Sequence, residues 1–123
     1  MNRTLICAGL GMLALGTAHA ELVDIRWNDA GRFEYQAQIA PAKFAEVCGK
    51  LGKGQRVDWT FRAERPTQFN IHYHEGKQVV YPAKVDGASA AEGQLNPALD
   101  QDFCWMWSNK SDKPIALTLT LQR

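Results

Sequence analysis

The chain has 123 residues, with 14 lysines and arginines, 13 aspartates and glutamates, and 46% hydrophobic side chains. Its first 20 residues hold one arginine and no acidic side chain, so residues 21–123 carry 13 charges of each sign and no net charge. This balance argues against nucleic acid or an anionic membrane surface as a partner, because both are bound through clustered lysines and arginines.

The first 20 residues have the pattern of a signal peptide. Arg3 supplies the positive charge, an apolar run follows over residues 5–15, and Ala18-His19-Ala20 has the spacing of a cleavage site. The apolar run is too short for a stable membrane-spanning helix. We expect cleavage after Ala20, one mature domain over 21–123, and a periplasmic or secreted protein. A lipoprotein signal on Cys7 is disfavoured, because almost no hydrophobic segment precedes that cysteine.

Alternation of apolar and polar side chains predicts β-strands along most of the mature chain. Five stretches show this period: RFEYQAQI at 32–39, QRVDWTFR at 55–62, QFNIHYH at 68–74, QVVYP at 78–82 and IALTLTLQ at 115–122. Pro82 is expected to end the fourth of them. Several short strands separated by turn residues predict a single all-β domain, folded as an antiparallel β-sandwich.

Residues 41–51 depart from the period of two. Their apolar side chains have helical spacing, at Phe44, Val47, Cys48 and Leu51. Pro41 suits a helix start and Gly52 suits its end. We therefore expect a short helix over 41–51 laid on the sheet, with a distorted strand as the alternative.

The stretch from Val80 to Asp100 is low in large hydrophobic residues and rich in alanine, glycine and serine. It is interpreted as a long surface connection, with at most a short strand around Gln94 and Leu95.

Cleavage of the signal removes Cys7 and leaves two cysteines, Cys48 and Cys104. A cysteine pair in an exported protein most often forms a disulfide, so a Cys48–Cys104 bridge is predicted. Two free thiols and a Cys/His metal site are the alternatives.

Large aromatic residues occupy alternate positions in three stretches of the chain, at 55–62, 68–74 and 103–107. The pattern predicts that these aromatics lie in the core: Trp59, Phe61, Phe69, Trp105 and Trp107. A tryptophan row exposed for sugar stacking is the alternative, but tryptophan packed beside a disulfide is typical of immunoglobulin-like cores.

His72 and His74 lie two residues apart, so they share one face of their strand. If Phe69, Ile71 and Tyr73 face the core, both imidazoles face water. A pair of this kind binds copper, zinc or nickel when further ligands join it, and Met106 is the candidate third ligand for Cu(I). Structural zinc is less favoured, because the two cysteines are expected to pair with each other.

Enzyme signatures are missing from the sequence. It has no histidine base with a serine or cysteine nucleophile motif, and no glycine-rich phosphate loop. Asp100 and Asp102 lie close together, but in a polar segment where solvated aspartates are common. The chain is therefore expected not to be an enzyme, and no cofactor is expected beyond the possible copper ion.

Residues 55–122 resemble the GOLD-type domain, a β-sandwich of luminal cargo receptors and some lipid-transfer proteins. The resemblance rests on a W-x-F strand (Trp59, Phe61), the FNIHYH strand, and a last hairpin that turns at Trp107-Ser108-Asn109. It implies a jelly-roll-like sandwich with a non-catalytic binding role. The histidine pair is not part of the family pattern, and the membrane anchor and coiled coil of the cargo receptors are missing, so cargo-receptor function does not carry over.

The sequence thus predicts a small exported binding module, stapled by Cys48–Cys104, for an unknown protein or small ligand. A periplasmic copper-binding protein built on His72 and His74 is the rival hypothesis.

Overall fold

The computed structural model describes residues 21–123, and the predicted signal peptide with its cleavage site lies outside them. Over this range the chain forms seven β-strands and no helix. The strands are β1 (Glu21–Asp24), β2 (Arg32–Ile39), β3 (Phe44–Leu51), β4 (Val57–Glu75), β5 (Gln78–Leu95), β6 (Gln101–Ser108) and β7 (Ile115–Gln122). The all-β prediction is confirmed. The described range also contains no helix with the length and apolar character that crossing a bilayer requires.

The seven strands form one mixed sheet in the order β1-β3-β6-β4-β7-β2, with β5 paired to β4 outside this path. Strand β1 runs parallel to β3, and the other pairs are antiparallel. The structure is therefore one curled sheet with a parallel pair at one end, whereas the sequence pattern predicts an antiparallel sandwich.

The curl comes from β4, which changes its partner midway. Its residues Asp58–Ala63 pair with β7, and its residues Gln68–His72 pair with β6. Between these segments the pairing with β5 is irregular from Arg62 to Thr67, where Pro66 has no N–H to donate. The Thr67 hydroxyl crosses this irregularity to donate a 2.8 Å hydrogen bond to the Ala88 carbonyl. The chain around Pro66 thus continues as one bent strand.

The concave face of the curled sheet holds one hydrophobic core. Phe61 and Phe69 lie on the two segments of β4, and their ring centroids are 4.6 Å apart. The Trp107 ring of β6 packs against both, with centroid distances of 5.6 Å to Phe61 and 5.5 Å to Phe69. The five aromatic side chains assigned to the core from the sequence are all buried: Trp59, Phe61, Phe69, Trp105 and Trp107.

The helix predicted over 41–51 is wrong, because residues Phe44–Leu51 form β3. This strand lies between β1 and β6 and buries Ala45, Val47 and Leu51 on its inner face. Ala45 and Gly49 supply little hydrophobic signal at two of the four inward positions. The larger residues of this stretch happen to have helical spacing, so the sequence pattern indicated a helix.

The surface connection expected from Val80 to Asp100 is also wrong over most of its length. Strand β5 runs through Pro82 to Leu95 along β4. Its Ala83, Ala88 and Ala91 pack against the core, and Ala83 and Ala91 lie opposite the larger Ile71 and Phe61 of β4, so small residues suffice there. Pro82 is tolerated at a bulge, since Tyr81 and Pro82 together lie opposite His72 alone.

Candidate functional site

Polar and sulfur-containing side chains meet on the outer face of β3, β6 and β4. The registers place Cys48 opposite Cys104 and Cys104 opposite His72 in one row. The next row contains Glu46, Met106 and Asn70. The name "disulfide–histidine cluster" is used below for Glu46, Cys48, Asn70, His72 and Cys104.

The two cysteines of the cluster are joined by a disulfide, with their Cα atoms 4.1 Å apart on neighbouring antiparallel strands. Cys104 is buried and Cys48 is half-buried. The bond connects β6 to β3, the second strand from the β1 end of the sheet path. It closes a loop across 56 residues of sequence.

His72 is buried, with 5% of its surface exposed. Its Nδ1 atom lies 2.7 Å from the amide oxygen of Asn70. Because that oxygen only accepts, Nδ1 carries the proton in the neutral ring, and Nε2 keeps the free lone pair. Burial lowers the pKa of His72 below its ordinary value, although the Glu46 carboxylate acts in the opposite direction and His74 adds to the lowering. Burial therefore favours the neutral form of this imidazole.

His74 differs from His72, because it is exposed. The two rings are 5.4 Å apart and perpendicular. Tyr81, from the β5 bulge, lies 6.1 Å from the His72 ring and covers part of it. The expectation that both imidazoles face water is therefore wrong for His72. Both rings do share the face opposite the core, but the bulge and the neighbouring strands bury one of them.

Met106 lies on the same outer face and is half-buried. Its register partners are Asn70 and Glu46, one row away from His72. The sheet therefore places His72, His74 and Met106 on one surface. Copper binding by these three residues stays a prediction.

A second set of possible ligands lies inside the disulfide–histidine cluster. One ligand atom each from Glu46, His72 and Cys104 falls within 4.8 Å of the others. A Glu46 carboxylate oxygen also lies 3.3 Å from Cys48 Sγ. Sequence reasoning missed Glu46, because a helix over 41–51 would not place it beside β6. The alternation of β3, once recognised, is the signal that would have found it.

The outward edge of β5 is a different kind of surface. Among residues 21–123, β5 pairs with β4 alone, so its other edge is free along 18 residues. Three of the exposed large hydrophobic side chains described in the structure lie on this strand: Val79 at 39%, Tyr81 at 50% and Val85 at 40%. Free backbone groups beside apolar side chains are a template for adding a strand from another chain.

A shallow polar groove of about 700 Å³ lies on the outer face of the other half of the sheet. Its charged side chains are Arg32, Asp58 and Glu92. Arg32 pairs with Glu34 at 2.7 Å, and Asp58 pairs with Arg56 at 3.0 Å. Because these pairs are exposed and of both signs, the groove has no strong preference for a charged ligand.

Asp100 and Asp102 do not form a carboxylate pair with a catalytic partner in the described range. An Asp100 carboxylate oxygen accepts a 2.7 Å hydrogen bond from the backbone N–H of Lys53, which orders the loop before β4. Asp102 is exposed at the start of β6.

No family model matches the chain, and no curated protein matches it. Solved structures do share its fold. A periplasmic inhibitor of g-type lysozyme, PliG from Aeromonas hydrophila, superposes with a TM-score of 0.61 at 12% identity over 85% of this chain and 96% of that one. The pre-peptidase C-terminal domain of a Bacillus anthracis collagenase gives 0.64 at 12% identity over 84% and 96%. PliG from Salmonella Typhimurium gives 0.54 at 11% identity over 84% and 97%. At these identities the likeness shows a shared β-rich fold.

Proposed function

We propose that the protein is a small periplasmic binding module that recognises another protein and catalyses no reaction. The observation that carries this proposal is the free edge of β5, where Val79, Tyr81 and Val85 expose apolar surface beside unpaired backbone groups. A partner strand added there gains main-chain hydrogen bonds and covers the three side chains. The resemblance to the GOLD-type domain implies a binding role as well.

Lysozyme is the partner class to which the fold gives most support. Two of the similar structures are described as periplasmic inhibitors of g-type lysozyme. Inhibition of an enzyme by a small rigid β-domain requires only a complementary surface, which suits a chain without a catalytic constellation in its described part. The Cys48–Cys104 disulfide stabilises such a domain in an oxidising compartment.

Binding and inhibition are measured with the oxidised protein beginning at Glu21. Purified g-type and c-type lysozymes are titrated by calorimetry, and cell-wall lysis is followed by turbidity. We expect a one-to-one complex with at least one g-type enzyme and slower lysis. Absence of binding to every lysozyme at concentrations of about 100 μM would overturn this partner class.

The binding surface is tested by placing charge on the free edge. The double variant Val79→Glu/Val85→Glu is expected to weaken the complex at least tenfold, because it puts carboxylates where apolar contacts form. Gln36→Glu/Gln38→Glu is the matched control, since both side chains are exposed on β2, which is separated from β5 by β7 and β4. Equal affinity for the Val79/Val85 variant and wild type would place the interface elsewhere.

A further inference from the structure

The disulfide–histidine cluster contains more ligand groups than its structural role requires. A disulfide needs two sulfur atoms. Here a buried neutral imidazole and a carboxylate are added to them, on three adjacent strands. The ligand atoms of Glu46, His72 and Cys104 already fall within 4.8 Å of one another. Cys48 Sγ is bonded to Cys104 Sγ and lies 3.3 Å from the Glu46 carboxylate.

Two thiolates, one imidazole and one carboxylate make a complete ligand set for tetrahedral Zn²⁺. Zinc–sulfur bonds of about 2.3 Å hold two thiolates about 3.8 Å apart in a tetrahedral site. Released from their bond, the sulfurs of Cys48 and Cys104 need only side-chain rotations to reach that spacing, because their Cα atoms are 4.1 Å apart in register. The zinc spacing therefore requires no movement of the backbone.

His72 has the environment of a metal ligand. Its Nδ1–H donates to the Asn70 amide oxygen at 2.7 Å, which fixes the ring and leaves Nε2 for a cation. Metal-bound histidines commonly donate their other N–H to such an oxygen. Tyr81 and the strands around the ring exclude bulk water. Exposed His74 has no comparable support from a side chain within the described range.

We propose that the reduced protein binds a thiophilic divalent cation such as Zn²⁺ through Cys48, Cys104, His72 and Glu46. A dithiol reductant gives two electrons and two protons to the disulfide, yielding two thiols, and is itself oxidised to a disulfide. Metal binding then forms two metal–sulfur bonds and releases the two thiol protons. Because the same sulfurs make either bond, the disulfide and the metal site exclude each other. This inference is independent of the lysozyme proposal, since it concerns the opposite redox state.

Cobalt(II) serves as the spectroscopic probe. The protein is reduced with a phosphine, freed of metal and titrated with Co²⁺ and then Zn²⁺ without oxygen. We expect one ion per chain, thiolate-to-cobalt charge-transfer absorption, tetrahedral d–d bands, and displacement of Co²⁺ by Zn²⁺. Zn²⁺ is also expected to raise the melting temperature of the reduced protein and to slow its oxidation by glutathione disulfide. The oxidised protein should show none of these effects.

Four variants assign the ligands. Cys104→Ser is expected to abolish the charge-transfer band, and His72→Ala and Glu46→Gln should each weaken Zn²⁺ binding at least tenfold. His74→Ala is the matched control and should change affinity less than twofold. It also controls for unfolding, because an unfolded reduced chain would use either histidine equally. Equal effects of the two histidine variants, full affinity in Glu46→Gln, or no thiolate band in the reduced wild type would each overturn the proposal.

Discussion

The buried side chain of Asn109 stabilises a turn of this protein through hydrogen bonds. Its side-chain amide is fully buried and donates to the carbonyls of Ile39 and Lys113, at 2.9 and 2.7 Å. Its amide oxygen accepts hydrogen bonds from the backbone N–H and the hydroxyl of Ser111. One side chain thus links the end of β2 to the loop between β6 and β7.

Replacing Asn109 with alanine is expected to lower the free energy of unfolding by about 2–4 kcal/mol, because the buried Ile39 carbonyl loses this donor and the Lys113 carbonyl loses one of its two. Urea unfolding followed by circular dichroism measures the change. Asn96→Ala is the control, since Asn96 is exposed, and should stay within about 0.5 kcal/mol of wild type. A small effect of Asn109→Ala would mean that water replaces the lost donors.

Tyr35 makes a pH-dependent contribution to stability. Its hydroxyl is buried and has no hydrogen-bond partner among residues 21–123. Burial raises the pKa of Tyr35 above its ordinary value of 10.0, and the Glu21 carboxylate adds to the increase without a hydrogen bond in the described structure. Above pH 10 the unfolded chain therefore loses this proton while the folded chain keeps it. The contribution is present below pH 10 and is lost progressively above it.

Tyr35→Phe should consequently lose less stability than wild type between pH 9 and pH 11. At pH 7 it should be as stable as wild type or more stable by about 1 kcal/mol, because it removes an unpaired buried hydroxyl. Urea midpoints across this pH range provide the measurement, with Tyr81→Phe as the exposed control. Parallel pH profiles for Tyr35→Phe and wild type would refute the assignment.

Among the strands, the sequence pattern correctly predicted those whose inward-facing side chains are large. The alternations at 32–39 and 115–122 coincide with the bounds of β2 and β7. The pattern failed for β3 and β5, whose inward positions include alanine and glycine. At these positions large side chains of the neighbouring strand fill the core. The residues of β3 and β5 themselves therefore give little hydrophobic pattern in the sequence.

At Gly93 of β5, a large side chain from the neighbouring strand fills the space beside the backbone. Gly93 lies opposite Trp59, and a Cβ at Gly93 would approach Trp59 Cζ2 to 2.7 Å. We expect Gly93→Ala to destabilise the protein by about 1–3 kcal/mol, because the buried indole must move. Gly52→Ala is the matched control, since its added Cβ would meet no atom closer than 3.7 Å. Equal urea midpoints for the two variants would show that the indole yields without cost.

The disulfide ties two strands that local sequence cannot bring together. In the chain-entropy description, a bridge across 56 residues stabilises the fold by about 4 kcal/mol. Cys48→Ala/Cys104→Ala should lose about this amount in urea unfolding with a chelator present. Chemically reduced wild type, also kept metal-free, should lose a similar amount. A loss below about 1 kcal/mol in both would mean that the unfolded chain is already compact near these residues.

For the molecule as a whole, side-chain alternation predicts which face of a strand is buried, but not which strands become neighbours. The double pairing of β4, with β7 and then β6, has no local signal. The candidate site shows the same limit. The shared face of His72 and His74 was predictable, but the burial of His72 was not, because the residues that cover it come from β3, β5 and β6.

The curled sheet also determines which tryptophans solvent can reach. Trp105 and Trp107 are fully buried and Trp59 is 7% exposed, whereas Trp27 is half-buried under the Arg123 guanidinium, 4.8 Å from its ring. Acrylamide should therefore quench mainly Trp27 in the folded protein. In Trp27→Phe the remaining emission should resist quenching until urea unfolds the chain, and wild type in urea serves as the fully accessible control. Efficient quenching of folded Trp27→Phe would mean that an indole of the concave face reaches solvent, which would favour a sugar-stacking surface over a closed core.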